Sequence, residues 1–301
     1  MTLQPTGDRT PGSPAAFDPV AAFAAQFAAP EHSTFTLDAG AGSPGVVLVH
    51  GFPGTPAEMR PLAQLFHAAG YTAHAPLLPG FGRDIPTLHT RTHEDWLSAV
   101  CTAFTTVHDG HRPTLLLGHS LGGALAIAAA ARLQPDGLIA LAPFHTLDHP
   151  LWKTLPVTRR LFPTVKPFRV IPFNLDDPET RRAVEGFMPG VNWDDPAQRA
   201  AIRAGVRDFR LPVAMFDEIR KAGEAAYRLA PDVRVRSLVV QGEGDTLVTP
   251  AATAHLVARF GVSPEYRVIP GDHNLPLEDH PGWPGVRDAV TAFAAAAQAT
   301  R

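Results

Sequence analysis

TLLLGHSLGGALAIAAAARL, residues 114–133, changes character in its middle. Thr114 to Gly118 is an apolar run with the length of a strand buried in a parallel sheet. From Ser120 to Leu133, leucine, alanine and isoleucine dominate, a composition that favours helix. Between them, Gly118-His119-Ser120-Leu121-Gly122 fits G-x-S-x-G, and Gly123 follows. Placed between a strand and a helix, this pattern predicts a sharp turn that lifts the Ser120 hydroxyl off the sheet. Small residues on either side let the backbone pass closely. The helix that follows would aim its unpaired N–H groups and positive dipole end at negative charge developing beside the serine.

Working outward, the same alternation recurs. Ser33–Leu37 and Gly45–His50 read as strands, and a helix is expected from Thr55. Thr55 can act as its N-cap, Pro56 suits the first helical position, and Glu58 stands three residues after the cap. Tyr71–Ala75 is the next strand, followed by a loop over 76–86 and a helix over His93–His108. Downstream come strands Gly137–Ala142, Ser237–Gly242 and Tyr266–Ile269, with helices Ala251–Phe260 and Val286–Ala297. Strands alternating with helices imply an α/β fold whose mostly parallel sheet is covered on both faces.

Two stretches break the alternation. Residues 1–32 are rich in proline, glycine and alanine and read as a flexible N-terminal arm. The apolar piece Ala21–Ala29 lacks the compact basic segment of a secretion signal before it. Residues 144–212 hold many prolines and large apolar side chains, among them Trp152, Phe162, Phe168, Phe173, Phe187, Met188 and Phe209. This stretch reads as an inserted lid, and the amphipathic helix Val213–Leu229 returns the chain to a core of 33–143 plus 213–301.

A serine needs a base to become nucleophilic, and the base needs an orienting group. Asp245 stands just past the strand Ser237–Gly242, and His273 just past Tyr266–Ile269. One helix and one strand fit between them, as a single repeat of the fold requires. His280 competes with His273 for the base. Glu243, Asp272 and Asp279 compete with Asp245, as does Asp148 after the earlier strand. The remaining histidines, His108, His111 and His145 among them, read as surface or lid residues. An oxyanion hole needs two converging backbone N–H groups. One candidate is Leu121, directly after the serine. The other is Phe52, in His50-Gly51-Phe52-Pro53-Gly54 after a buried strand.

Composition narrows the classes. Of 301 residues, 45% are hydrophobic and 18% charged, and the net charge is −3, so neither disorder nor an electrostatic nucleic-acid or anionic-membrane partner is expected. Cys101 is the sole cysteine, which excludes an intrachain disulfide and any paired-cysteine metal site. Apolar runs such as Ala124–Ala131 are too short to span a bilayer. A cytoplasmic protein with no metal or organic cofactor and no stable membrane insertion is expected; oligomeric state is not legible.

These pieces together resemble a known family. His50 to Pro56, Met59-Arg60-Pro61-Leu62-Ala63, Gly70-Tyr71 on to Leu78-Pro79-Gly80, and Trp96 are similar to the bacterial carboxylesterase and monoacylglycerol lipase branch of the α/β-hydrolase superfamily. The similarity resumes at Gly118–Gly123, at Gly242–Asp245 with Val248-Thr249-Pro250, and at His273, and it hardly touches the lid. The resemblance implies the α/β-hydrolase fold, with Ser120, Asp245 and His273 as triad and Phe52 and Leu121 as oxyanion donors. It also implies hydrolysis of a small-molecule acyl ester, of short to medium chain or a monoacylglycerol, through an acyl-enzyme. Leu121 departs from the branch, which usually has methionine there. Thioesterase, amidase and acyltransferase chemistry share this machinery, and a noncatalytic small-molecule binder could keep the fold.

Overall fold

A computed structural model of the chain describes residues 24–25, 27–147, 150–161, 163–166, 174–178, 180–181, 192–208 and 211–299. By its internal contacts the chain divides into two compact units, Phe27–Val165 with Pro212–Arg301, and Met1–Gln26 with Lys166–Leu211. Asp148, Phe162, Phe168, Phe173, Phe187, Met188 and Phe209 lie outside the described residues, as does most of the N-terminal arm.

The larger unit is built on seven strands: β1 (Phe35–Leu37), β2 (Gly45–Val49), β3 (Thr72–Ala75), β4 (Thr114–His119), β5 (Gly137–Leu141), β6 (Ser237–Gly242) and β7 (Glu265–Ile269). They lie in the order β1-β3-β2-β4-β5-β6-β7. β1 runs antiparallel to β3, and the remaining pairs are parallel. The central strands β2, β4, β5 and β6 are buried along their whole length, which is why they read as apolar runs rather than as alternations. The chain leaves β2 to one side for β3 and then returns to its other side for β4. This order reversal opens a crevice at the carboxyl ends of β2 and β4, where α/β sheets bind ligands.

Among the described residues, seven helices of this unit accompany the strands: α1 (Arg60–Ala68), α2 (His93–His108), α3 (Leu121–Leu133), α4 (Pro150–Leu161), α6 (Val213–Leu229), α7 (Pro250–Val257) and α8 (Trp283–Ala299); α5 (Pro196–Asp208) belongs to the smaller unit. On one face of the sheet, Val46, Leu48, Leu115, Leu117, Ile139, Leu141, Leu238 and Val240 share a core with Leu62, Ala63 and Phe66 of α1 and Val286, Val290 and Phe293 of α8. The intervening residues, such as Val47, Leu116, Leu138 and Val239, are equally buried and face the other way. There α2 and α3 pack on the strands, and α6 packs along α3. Ten successive residues of α3, Leu121 to Ala130, are buried. A helix covered on all sides cannot show a polar stripe, which explains its composition.

Helix α4, within the stretch read as an insertion, is tied to α6 by an ion pair of 2.6 Å between Arg159 Nη1 and Asp217 Oδ2. Asp217 is buried and also pairs with Arg220 and Lys221, so its charge is compensated. Trp152 of α4 packs edge-on against Phe144, ring centroids 5.5 Å apart. In the smaller unit, Leu175 and Ile202 are buried with Trp193 and Val206 packed against them.

Two local expectations need correction. The helix expected from Thr55 opens as a 3-10 turn, Pro56–Met59, and becomes α-helical only at α1. Thr55 does accept the Ala57 N–H as a cap, but Glu58 points elsewhere, as described below. The loop over 76–86 also runs into a 3-10 helix, Gly82–Thr90. Pro30–His32, within the stretch read as an arm, forms a 3-10 turn whose His32 Nδ1 lies 2.8 Å from Thr55 Oγ1.

Candidate active site

Ser120 is the turn between β4 and α3, and its backbone is at φ 52°, ψ −115°. A residue with a side chain rarely holds a positive φ without support. Here the Ser120 N–H donates to the Leu141 carbonyl at 2.9 Å, and its own carbonyl accepts from Ala124 and Phe144, both at 3.0 Å. The flanking glycines are a steric requirement. A Cβ on Gly118 would stand 2.1 Å from the Gly122 oxygen, and one on Gly122 would stand 2.2 Å from the Val49 oxygen. Both distances lie far inside van der Waals contact.

Strands β6 and β7 bring the other two expected residues to this turn. His273 Nε2 lies 2.8 Å from Ser120 Oγ, and its Nδ1 lies 2.7 Å from Asp245 Oδ2. Asp245 is buried, with Oδ1 accepting from the N–H groups of Leu247 (2.9 Å) and Val248 (2.8 Å). Its Oδ2 also accepts from the Gln241 amide at 2.9 Å. Burial opposes ionisation of Asp245. The hydrogen bond and charge of His273, the Val248 N–H and the Gln241 amide outweigh it and hold the carboxyl below the usual carboxylate range.

The rivals stand elsewhere. The His280 ring is buried in its own loop, with Nδ1 accepting from Gly282 N–H at 3.1 Å and Nε2 lying 3.0 Å from Asp272 Oδ1. Glu243 and Asp279 are exposed, and Asp272 is engaged by His280 and Asn274.

The loop after β2 touches the serine turn. A Cβ on Gly51 would lie 3.2 Å from both Ser120 Cβ and His119 Nδ1. Phe52 follows, its ring edge-on to Phe81 at 6.2 Å and to Phe216 at 6.5 Å. Leu121 is the first residue of α3, so its N–H has no acceptor within the helix. His50 is fully buried beneath the loop. Burial, together with the charge of His119, pushes its pKa down, and the neutral ring is bonded at both nitrogens. Nε2 accepts from Leu78 N–H at 3.1 Å, so Nδ1 carries the proton and donates to the Gly51 carbonyl at 2.9 Å.

Three polar residues of this neighbourhood escaped the sequence reading. Glu58 crosses the loop and accepts the Gly51 N–H. His119 bridges Glu58, at 3.4 Å from Nδ1, and the His273 carbonyl, at 2.9 Å from Nε2. Gln241 braces Asp245 from within a strand, and only its polarity in an otherwise apolar run could have signalled it. Among the described residues, no group of three or more His, Cys, Asp or Glu is placed to hold a metal ion, and no helix is long and apolar enough to cross a membrane.

Comparison with known proteins places this geometry. The sequence model of the family described as serine aminopeptidase, S33, matches residues 43–279. A thermostable monoacylglycerol lipase of Bacillus sp. (strain H-257) is 38% identical over 95 residues, 32% of this chain and 38% of the relative. The chain therefore spans well under half the length of that relative in the alignment. A monoacylglycerol lipase of Mycolicibacterium smegmatis is 25% identical over 255 residues, 79% of this chain and 86% of the relative. A structure reported for the metagenome-derived lipolytic enzymes LipS and LipT superposes with a TM-score of 0.67 at 22% identity, covering 88% of this chain and 98% of that one. The likeness in structure is one of fold, and the match over residues 43–279 extends through the serine turn and the loops after β2, β6 and β7. The chain belongs to the serine aminopeptidase S33 family of α/β-hydrolases.

Proposed function

We propose that this chain is a serine hydrolase of carboxylic esters that works through an acyl-enzyme, with Ser120 as nucleophile, His273 as base and Asp245 as its orienting partner. The observation that carries the reading is the single imidazole standing 2.8 Å from Ser120 Oγ and 2.7 Å from Asp245 Oδ2. His273 takes the Ser120 proton as Oγ attacks the ester carbonyl, and Asp245 keeps Nδ1 protonated so that Nε2 is the free acceptor. The N–H groups of Phe52 and Leu121 receive the oxyanion, each worth about 3 kcal/mol in comparable sites. His273 then hands its proton to the departing alcohol. Water repeats the sequence on the acyl-serine and frees the acid.

Short- to medium-chain acyl esters and monoacylglycerols are the proposed substrates. The names of the two lipase relatives support this choice, as do the phenylalanines around the loop after β2. On this reading residues 144–212 act as a lid.

A fluorophosphonate probe on the purified chain tests the proposal, with Ser120→Ala as control. Wild type is expected to be labelled at Ser120 and to hydrolyse p-nitrophenyl butyrate and a 1-monoacylglycerol, and the control to do neither. Absence of labelling sinks the serine mechanism. Labelling with turnover only of thioester or amide substrates replaces the ester assignment.

A further inference from the structure

We infer that Glu58 is a positioning residue for acyl transfer, holding the oxyanion loop and the main chain of the catalytic histidine through one carboxylate. The inference rests on the reading of Ser120 and His273 given above.

Glu58 Oε1 does two things. It accepts the Gly51 N–H, and it faces His119 Nδ1 at 3.4 Å. A carbonyl oxygen can only accept, so the contact of 2.9 Å between His119 Nε2 and the His273 carbonyl makes Nε2 a donor. With Nδ1 also carrying a proton towards the carboxylate, one imidazolium spans from Glu58 to the main chain at 273, while its own residue is bonded directly to Ser120. The second carboxylate oxygen lies across the same loop, because a Cβ on Gly54 would stand 1.9 Å from Glu58 Oε2. A carboxylate in a 3-10 turn has therefore been drawn over residues 51–54 rather than back to its own cap.

The consequence is geometric. Fixing the Gly51 N–H holds the peptide entering Gly51, and His50 Nδ1 holds the Gly51 carbonyl of the next peptide, whose N–H is that of Phe52, the proposed oxyanion donor. Glu58 thus anchors the loop one peptide before that donor. That donor is useful only where it meets the oxygen as charge develops there. Burial disfavours the ionised form of Glu58, but the hydrogen bond and charge of His119 and the Gly51 N–H outweigh it and keep the carboxyl below its usual range. Glu58 touches no reacting atom and acts through Gly51 and His119.

Two substitutions separate position from charge. Glu58→Gln keeps an acceptor in place without the charge, whereas Glu58→Asp keeps the charge and withdraws it by one methylene. The full chain would be assayed for kcat and KM on p-nitrophenyl butyrate and for inhibition by phenylboronic acid, which mimics the tetrahedral intermediate on Ser120. Glu58→Gln is expected within about threefold of wild type. Glu58→Asp is expected to lose kcat and boronate affinity together by about tenfold or more, with KM within about twofold, since the lost contact acts only in the transition state.

Wild-type kcat and boronate affinity in Glu58→Asp would overturn the inference, as would a loss in Glu58→Gln as large as that in Glu58→Asp, since the placed acceptor alone would then not suffice. If Glu58→Asp does not fold, Gly54→Ala pushes on the same carboxylate and must show the same kcat-selective loss; its absence also overturns the inference. A wild-type chain that neither turns over nor takes a fluorophosphonate would instead refute the underlying acyl-transfer reading.

Discussion

Gln241 Nε2 lies 2.9 Å from Asp245 Oδ2, the oxygen that also faces His273 Nδ1. The same amide nitrogen reaches the Val248 carbonyl at 2.9 Å, and Gln241 Oε1 accepts from Thr253 Oγ1 at 2.6 Å. Every polar atom of this fully buried side chain has a partner, so the acid loop hangs on β6 through one residue. Gln241→Leu would leave the Thr253 hydroxyl and part of Asp245 unsatisfied in the interior. A buried polar group without its partner costs about 1–3 kcal/mol. The expected outcome is an unfolding free energy from urea titration lowered by that amount together with a reduced kcat, and an unchanged midpoint would contradict the role.

The serine turn should be intolerant of the smallest side chain. Gly122→Ala sets a Cβ 2.2 Å from the Val49 carbonyl oxygen and 2.5 Å from that of His50, backbone atoms at the end of β2 and just past it. Relief requires β2 to part from α3, because neither contact is with a flexible side chain. A loss of more than about 3 kcal/mol, or failure to accumulate as soluble protein, is expected. A variant with the wild-type denaturation curve would show that the two segments do not meet as described.

His145 should make the fold sensitive to acid. Burial, aided by the charge of His255, pushes its pKa down to about 4 from 6.5, and the ring stacks on Tyr227 with centroids 5.7 Å apart. Between these values the unfolded chain binds the proton and the folded one does not, so stability falls as pH drops from 6.5 towards 4. Two to three pH units of such linkage are worth about 3 kcal/mol. His145→Phe keeps a ring for the stack and removes the titration. Urea midpoints at about pH 7 and about pH 4.5 should converge in the variant relative to wild type. Equal acid loss in both chains would remove His145 from the explanation.

The two histidines past β7 should behave differently. His273→Ala removes the proposed base and is expected to lower kcat by about a thousandfold or more. His280→Asn, at a ring bonded to Gly282 and Asp272, should lower kcat by less than about tenfold and act mainly on stability. Steady-state kinetics with the folded fraction measured alongside would show it. The reverse ranking would exchange their roles.

The apolar runs and the glycine pattern carried most of the architecture, because buried parallel strands and a tight strand–helix turn each demand particular residues locally. Ser120, Asp245 and His273 could be named for the same reason, as each follows its strand directly. Glu58 was not legible in its role, since a glutamate three residues after a threonine fits a cap equally well, and only the folded loop shows which N–H it meets. His119 was hidden too, because it is defined by the carbonyl of a residue 154 positions away. The strand order, which sets β2 beside β4, follows from pairing between distant segments that no local pattern encodes.

The positive φ at Ser120 has an evolutionary edge. Glycine occupies that region freely, so Ser120→Gly should relax the turn and raise the stability by about 1 kcal/mol or more while removing the hydroxyl that faces His273. At this one position sturdiness and chemistry pull in opposite directions. A lineage released from the need for turnover would find an inert, tougher descendant one codon away.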